Sequence, residues 1–436
     1  MPPIRKLPLD AQTTPTLRRD HFALLYAGML VAAAGNTALQ SIMPAIGRQM
    51  GMKDVWVAIA YTWSAVLWVL SAPYWARQSD RRGRKPLTLL GIGGFVVSMT
   101  LCGLALAFGL AGALSGTVTF LIFALVRGIY GAVGSATPSA VQAYVAGRTT
   151  REQRTGALST LASSFGLGTI IGPALAPLLV LPFVGLSGPV FAFALIGAGV
   201  FAAIWFLLPN DTPTSQGRGA AMSYPSLGSP PTGASVIAAT SDAPLAGSAR
   251  LSWRDPRIFP WLAAGVVAGH AQAASLTPLG FLIIDRLGLP PAQAQPLIGI
   301  VMMAGACATL VAQWGLIPRL GMSSRSLVLW GCALAAAGLS IDALATDLYG
   351  LTMGFALSSL GFGFIRPGFT SGASLSVGQS GQGTVAGMIT AANGLAFIVA
   401  PGLGVWLYSQ WRSLPYLVAT AIILGLLAWS WRRLKV

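Results

Sequence analysis

The sequence predicts an all-α integral membrane protein: 12 transmembrane helices in two pseudo-symmetric six-helix bundles. Three observations carry the prediction. Of 436 residues, 54% are hydrophobic and only 9% are charged, against about 25% charged in a soluble domain. The apolar residues gather into twelve runs long enough to cross a bilayer, with a long polar gap after the sixth. The chain also repeats itself. Gly166–Pro173 returns as Gly394–Pro401, 228 positions later, and Gly35, Asn36, Ser41 and Pro44 return as Gly269, His270, Ser275 and Pro278 at an offset of 234. Gly134 and Pro138 pair with Gly363 and Pro367 at 229. Three ordered matches at nearly one spacing imply two related halves, the usual build of a secondary transporter with its solute site between repeats.

The runs fall at 22–43, 55–75, 87–108, 117–145, 156–181 and 188–208, then at 258–284, 293–316, 326–346, 348–376, 384–409 and 413–431. This divides the chain into a tail at 1–20, a first bundle at 21–208, a linker at 209–256, a second bundle at 257–432 and a tail at 433–436. The linker is rich in Ser, Pro, Gly, Ala and Thr, a composition of flexible connectors. No small-residue cleavage site follows the first run, so it is expected to stay as a span. With both termini in the cytoplasm, 21 of the 27 Lys and Arg fall on the cytoplasmic side and four on the other. That bias is the positive-inside pattern. The formal charge of +16 therefore reads as orientation in a cell (inner) membrane and contact with anionic lipid, and excludes a nucleic-acid partner. Trp56, Trp75, Trp205, Trp261, Trp314, Trp411 and Trp431 near span ends suit interfacial anchoring. Cys102, Cys307 and Cys332 lie in apolar runs, leaving no disulfide framework or metal-ligand spacing, and no cofactor is expected.

Between the second and third spans, Ala76–Pro86 is a tight basic turn in which Asp80 is the one carboxylate among five cations. An acid so placed accepts charge-assisted hydrogen bonds from Arg or a helix N-terminus and can break them in another arrangement of helices. The run resembles the loop motif of the major facilitator superfamily, Gly-x-Leu-x-Asp-Arg-x-Gly-Arg-Arg/Lys, matching at Asp80, Arg81, Gly83, Arg84 and Lys85, with Ala76 and Gln78 departing from it. The resemblance implies a latch between the halves in the outward-facing state. Arg127 in Leu125–Gly131 resembles the family's second motif, built on a buried Arg. An Arg in mid-membrane costs at least about 2.5 kcal/mol on insertion scales, so it needs a partner or a wet cavity; it is read either as an electrostatic element of the central cavity or as a structural Arg bonded to backbone carbonyls. Gly168, Gly172 and Pro173 resemble the Gly-x-x-x-Gly-Pro motif of the drug:proton antiporters (multidrug and tetracycline-type efflux), with Pro401 as the repeat's second bend. Small residues four apart let helices approach closely, and Pro bends them.

The candidate substrate and proton pathway is Asn36, Gln40, Arg127, His270, Arg366 and Asn393. Asn36 and Gln40 share a helix face, and repeat alignment sets Asn36 opposite His270. An ionisable group within a span is a functional hypothesis by default, and the reference pKa of His suits proton exchange; the alternative for each is a helix–helix hydrogen bond. Carboxylates number only 11, none at mid-span: Asp54, Asp285, Asp342 and Asp347 fall near outer span ends. His270 is thus the first proton candidate, followed by Asp285 and Asp54, and two buried Arg point to a neutral or anionic solute. The function expected is proton-coupled export of a small, fairly hydrophobic solute by a monomer, with no enzymatic site. The alternatives are a proton-coupled importer of a nutrient, peptide-like or siderophore-like compound and, more remotely, a polytopic membrane enzyme.

Overall fold

The structure, a computed structural model, describes residues 17–149, 151–180, 184–210, 252–377 and 382–434; side chains at some helical positions, Asp80 and Asn393 among them, lie outside the described residues, as does most of the 209–256 linker. The described residues form α1 (Arg19–Gln49), α2 (Asp54–Arg82), α3 (Arg84–Leu110), α4 (Gly116–Val133), α5 (Ala136–Ala146), α6 (Arg151–Leu175) and α7 (Gly188–Leu207), then α8 (Phe259–Leu276), α9 (Leu279–Leu287), α10 (Pro291–Leu310), α11 (Ile317–Leu320), α12 (Ser324–Leu344), α13 (Leu348–Leu375), α14 (Gln382–Gln410) and α15 (Leu414–Arg433). Eleven spans among the described residues are long and apolar enough to cross a membrane. The 29-residue α14 takes the remaining place in the twelve-helix order.

Three spans that the sequence reads as continuous are broken in the structure, and each break has a proline behind it. Pro138 lacks an N–H and its ring excludes the carbonyl four residues back, at Gly134, where α4 ends and α5 begins. Pro278 separates α8 from α9 in the same way. Ahead of Pro318, residues Val311–Leu316 widen into a π-helical turn between α10 and α11.

Helix pairing follows the repeat. In the first half α1 packs on α6 and α7, α3 on α7 and on α4–α5, and α2 on α4; in the second half α8 packs on α14 and α15, α12 on α15 and α13, and α10 on α13. The halves meet where α2 crosses α14, where α6 crosses α10, and where α1 meets α9 and α10. Bonds across neighbouring helix ends fix two faces. On the face that carries the termini, Lys85 Nζ donates to Trp205 O at 2.8 Å and Arg325 Nη2 to Trp431 O at 3.0 Å. The opposite, distal face carries the α1–α2 and α14–α15 turns.

Lipid tails are as apolar as Leu, so helices in a bilayer gain little from burying Leu against Leu and rely on close packing instead. The outward faces agree: Leu125 and Leu195 are 73% and 75% exposed. Inside, small residues set the closest approaches. A Cβ on Gly168 would meet Leu30 O at 2.6 Å and Ala33 Cβ at 2.8 Å, and one on Gly172 would press on Ala34 O, Thr37 Oγ1 and Ala38 N. Thr37 Oγ1 donates to the Gly168 carbonyl at 3.4 Å, tying the same pair of helices. In the second half Gly331, Gly338, Gly354 and Gly361 line the α12–α13 seam; a Cβ on Gly331 would come within 2.7 Å of Gly361 O. The expected outcome of Gly172→Val is a loss of about 1–3 kcal/mol of stability from overpacking against backbone, read as a lower melting temperature in detergent. Gly402→Ala, where nothing lies within 4 Å, leaves it unchanged.

Candidate functional site: a distal ionic clamp over a central cavity

At the distal face one guanidinium joins the halves. Arg48, at the end of α1, donates from Nε and Nη2 to both carboxylate oxygens of Asp54 at 2.6 Å, and from Nη1 and Nη2 to both oxygens of Asp285 at 3.1 Å. Asp285, on α9, also accepts from Tyr408 Oη at 2.6 Å and lies 3.6 Å from Arg412 Nε. Phe281 roofs the cluster with its ring centroid 5.6 Å from the guanidinium carbon of Arg48. Two cations and two anions cancel, and the side chains of Asp54 and Asp285 are largely buried, so the cluster holds its charge-assisted geometry with little screening. Just inside it the helices close up: a Cβ on Gly280 would meet Pro44 Cγ at 2.5 Å, and one on Gly299 would meet Pro177 Cγ at 2.6 Å and Pro173 O at 3.0 Å.

Beneath this clamp lies a cavity lined from α6, α8, α10, α12, α13 and α15. Its walls are mixed: Met302, Leu339, Phe355 and Phe362 give apolar surface, while Gln272, Thr309, Gln313, Ser358, Asp342 and Tyr416 give hydrogen-bonding groups. Apolar walls with a few polar groups suit a small organic ligand.

A family model described as the Major Facilitator Superfamily matches residues 25–401. The chain belongs to this superfamily. It is a multi-pass membrane protein of a superfamily of transporters, not a family of enzymes. Among curated proteins, this facilitator is similar to Multidrug resistance protein MdtG of Proteus mirabilis (strain HI4320), 25% identical over 205 residues that make up 45% of this chain and 47% of the relative. It is similar to the protein of that name from Klebsiella pneumoniae (strain 342), 23% identical over 170 residues, 38% of each chain. The matched stretches thus span about half the length of these relatives or less. Among solved structures it superposes on a bacterial homologue of the iron transporter ferroportin in its inward-facing state with a TM-score of 0.66, and on the human organic anion transporter MFSD10 (TETRAN) with 0.62. Both are 18% identical and cover 94% of this chain and 99% of the other. At that identity the likeness is one of fold.

The residues singled out from the sequence fall in different places. Arg366, buried on α13, donates from Nη2 to Gln272 Oε1 at 2.9 Å, so it reaches the cavity through a lining residue. Arg127 is fully buried elsewhere, its guanidinium carbon 4.7 Å from the centroid of Tyr130 and 5.9 Å from that of Tyr61, within an aromatic cluster that includes Trp68, Phe95 and Phe123. His270 is half-buried, and its Nδ1 bonds the Val266 carbonyl at 2.8 Å. A carbonyl can only accept, so Nδ1 carries the hydrogen. Asn36 is fully buried and Gln40 partly so, one turn apart on α1. None of Asn36, Gln40, Arg127 and His270 lines the cavity. In the basic turn, Arg84 is buried beside Gly147 and Lys85 bonds α7, both partners lying in the first half; Arg81 is exposed and Gly83 forms the left-handed corner at φ 89° between α2 and α3. The side chains of Asp80 and Asn393 lie outside the described residues.

Two parts of the site escaped the sequence reading. Asp54 and Asp285, ranked there as proton carriers, are held in the ionic clamp. Asp342, read as an outer-end residue, is 1% exposed and lines the cavity. The signal that could have found it is its being the one acid within the 324–344 run. Arg48→Gln removes the shared donor of the clamp. A cost of about 1–2 kcal/mol shifts the ratio of closed to open distal faces about five- to thirtyfold, and the expected outcome is faster labelling of Ser275→Cys by an impermeant thiol reagent added on the distal side, on a background without native cysteines.

Proposed function

We propose that this facilitator exports small, fairly hydrophobic compounds across the inner membrane by proton-coupled alternating access, with both termini in the cytoplasm. The observation that carries the reading is the asymmetry of the molecule. The distal face is closed by the Arg48 clamp, by Gly280 against the Pro44 ring and by Gly299 against Pro177 and the Pro173 carbonyl, and most of the cavity lining, from α6, α8 and α10, lies on the terminal side of these contacts. With the termini inside, this is a chamber loaded from the cytoplasm. The direction is supported by the Gly168–Gly172–Pro173 motif and by the likeness to proteins named for multidrug resistance.

In this mechanism the two bundles rock about the cavity. Opening outward breaks the bonds between Arg48 and Asp285 while Arg48 keeps Asp54, so the cation is never left unpaired, and the basic turn at Asp80, Arg81, Gly83, Arg84 and Lys85 latches the opposite face. His270 takes the coupled proton. Lipids surround a monomer, and no catalytic chemistry is assigned. An importer of a nutrient, peptide-like or siderophore-like compound would use the same fold.

Cells lacking the gene should retain more of an exported dye such as ethidium than cells expressing it; lower uptake instead would identify an importer. In proteoliposomes, flux should rise under an imposed pH gradient and fall when it is dissipated. His270→Gln is expected to lose the gradient-driven component and keep counterflow. Asp80→Asn is expected to slow net flux at least about tenfold, a barrier increase near 1.4 kcal/mol, with equilibrium binding intact; unchanged flux rules out the latch.

A further inference from the structure

Asp342 is the acid among the cavity-lining residues. It sits two residues before the end of α12, where a helix-end carboxylate ordinarily reaches water, yet it is buried because α12 and α13 approach through their glycine seam. Its Oδ1 rests against Gly354, which has no side chain to displace it. That oxygen has no hydrogen-bond partner among the described residues, and no ion pair to Asp342 occurs there. The Tyr416 hydroxyl on α15 lines the same cavity and is likewise unpartnered among the described residues.

The charged groups around Asp342 are committed elsewhere. Arg286 on α9 donates from Nη2 to the carbonyl of Ala343 at 3.1 Å and to Ser413 Oγ at 2.8 Å; its buried Nε has no partner among the described residues, yet it makes no ion pair with Asp342 there. Arg366, three turns along α13, is bonded to Gln272. Asp285 and Tyr408 belong to the distal clamp. A carboxyl taken out of water without a cation carries an uncompensated cost whenever it ionises. A ligand that brings the missing charge into an apolar chamber removes that cost, and in a dry site the attraction is far stronger than in water.

We propose that the Asp342 carboxylate, beside the Tyr416 hydroxyl, anchors the cationic head of an otherwise apolar solute in this cavity. Met302, Leu339, Phe355 and Phe362 receive the apolar body. The sign is opposite to that suggested by Arg127 and Arg366 taken alone, because one is enclosed by aromatic rings and the other is bonded to Gln272. The assignment rests on reading the cavity as the solute site. It adds the class of solute: an organic cation whose binding competes with protonation of Asp342.

The test is equilibrium binding of tetraphenylphosphonium, a permanent apolar cation, to the purified full-length protein in detergent, beside neutral triphenylphosphine oxide. Wild type should bind the cation, less tightly as the pH is lowered, because a protonated carboxyl no longer attracts it. Asp342→Asn should weaken cation binding at least about tenfold, remove its pH dependence and leave neutral-probe binding within about twofold. Asp342→Glu should keep both. Equal cation affinity in Asp342→Asn overturns the proposal, as does wild-type binding without pH dependence or no wild-type binding at all. Parallel loss of both probes from a folded Asp342→Asn also overturns it, since the residue then shapes the cavity. If Asp342→Asn does not fold, the wild-type pH profile and Asp342→Glu decide. Binding requires no transport, so a protein that binds tetraphenylphosphonium in this manner but does not expel it refutes export and leaves the anchor standing.

Discussion

In an apolar solvent each backbone N–H and C=O must find its partner inside its own helix, and the remaining problem is how finished helices hold one another. Burial of apolar area does little, because lipid offers the same surroundings. What remains is the distance at which backbones can pass. At Gly168 and Gly172 on α6, and along Gly331, Gly338, Gly354 and Gly361 between α12 and α13, a single methyl would collide with main-chain atoms. These seams fix the interior of each bundle. A transporter needs rigid units, with a boundary that can part.

The boundary is held differently. Where α1 meets α9, the contact combines an interlocked proline and glycine, Pro44 and Gly280, with a bidentate guanidinium shared between two carboxylates. Charged contacts that exchange one partner for another are bistable in a way that packed methyl groups are not. Arg48 has a partner in its own half, Asp54, and one in the other, Asp285. Losing the second would leave it paired.

Buried polarity elsewhere follows the same accounting. Arg127 lies against aromatic faces, which attract a cation without needing a counter-charge. Arg366 meets an amide oxygen and Arg286 meets a carbonyl and a hydroxyl. Asp342 stands apart because, among the described residues, it makes no ion pair and its Oδ1 receives no donor. Its position owes nothing to local sequence preference. It follows from a glycine on the neighbouring helix.

Much of the architecture was legible in the sequence, because hydropathy and charge bias answer to the membrane and not to tertiary contacts. The twelve spans, the two-fold repeat and the superfamily could be read from apolar runs, recurring Gly and Pro, and the motifs around Asp80, Arg127 and Gly168. The breaks at Gly134, Pro278 and Val311–Leu316 were not placed, though each proline was in view; a proline tells where a helix is weak, and its neighbours decide whether it bends or parts. Of the described pathway candidates, Arg366 is tied to a cavity wall, through Gln272. Asn36, Gln40 and His270 share a span or a repeat position with cavity residues, but rotation about the helix axis sets which side chain faces the opening, and that angle is chosen by packing. The sequence by itself determined the solvent, the number of crossings and the family. Only the tertiary structure decided which ionisable groups neutralise one another and which one is left facing the cavity, since pairing depends on residues brought together from distant spans.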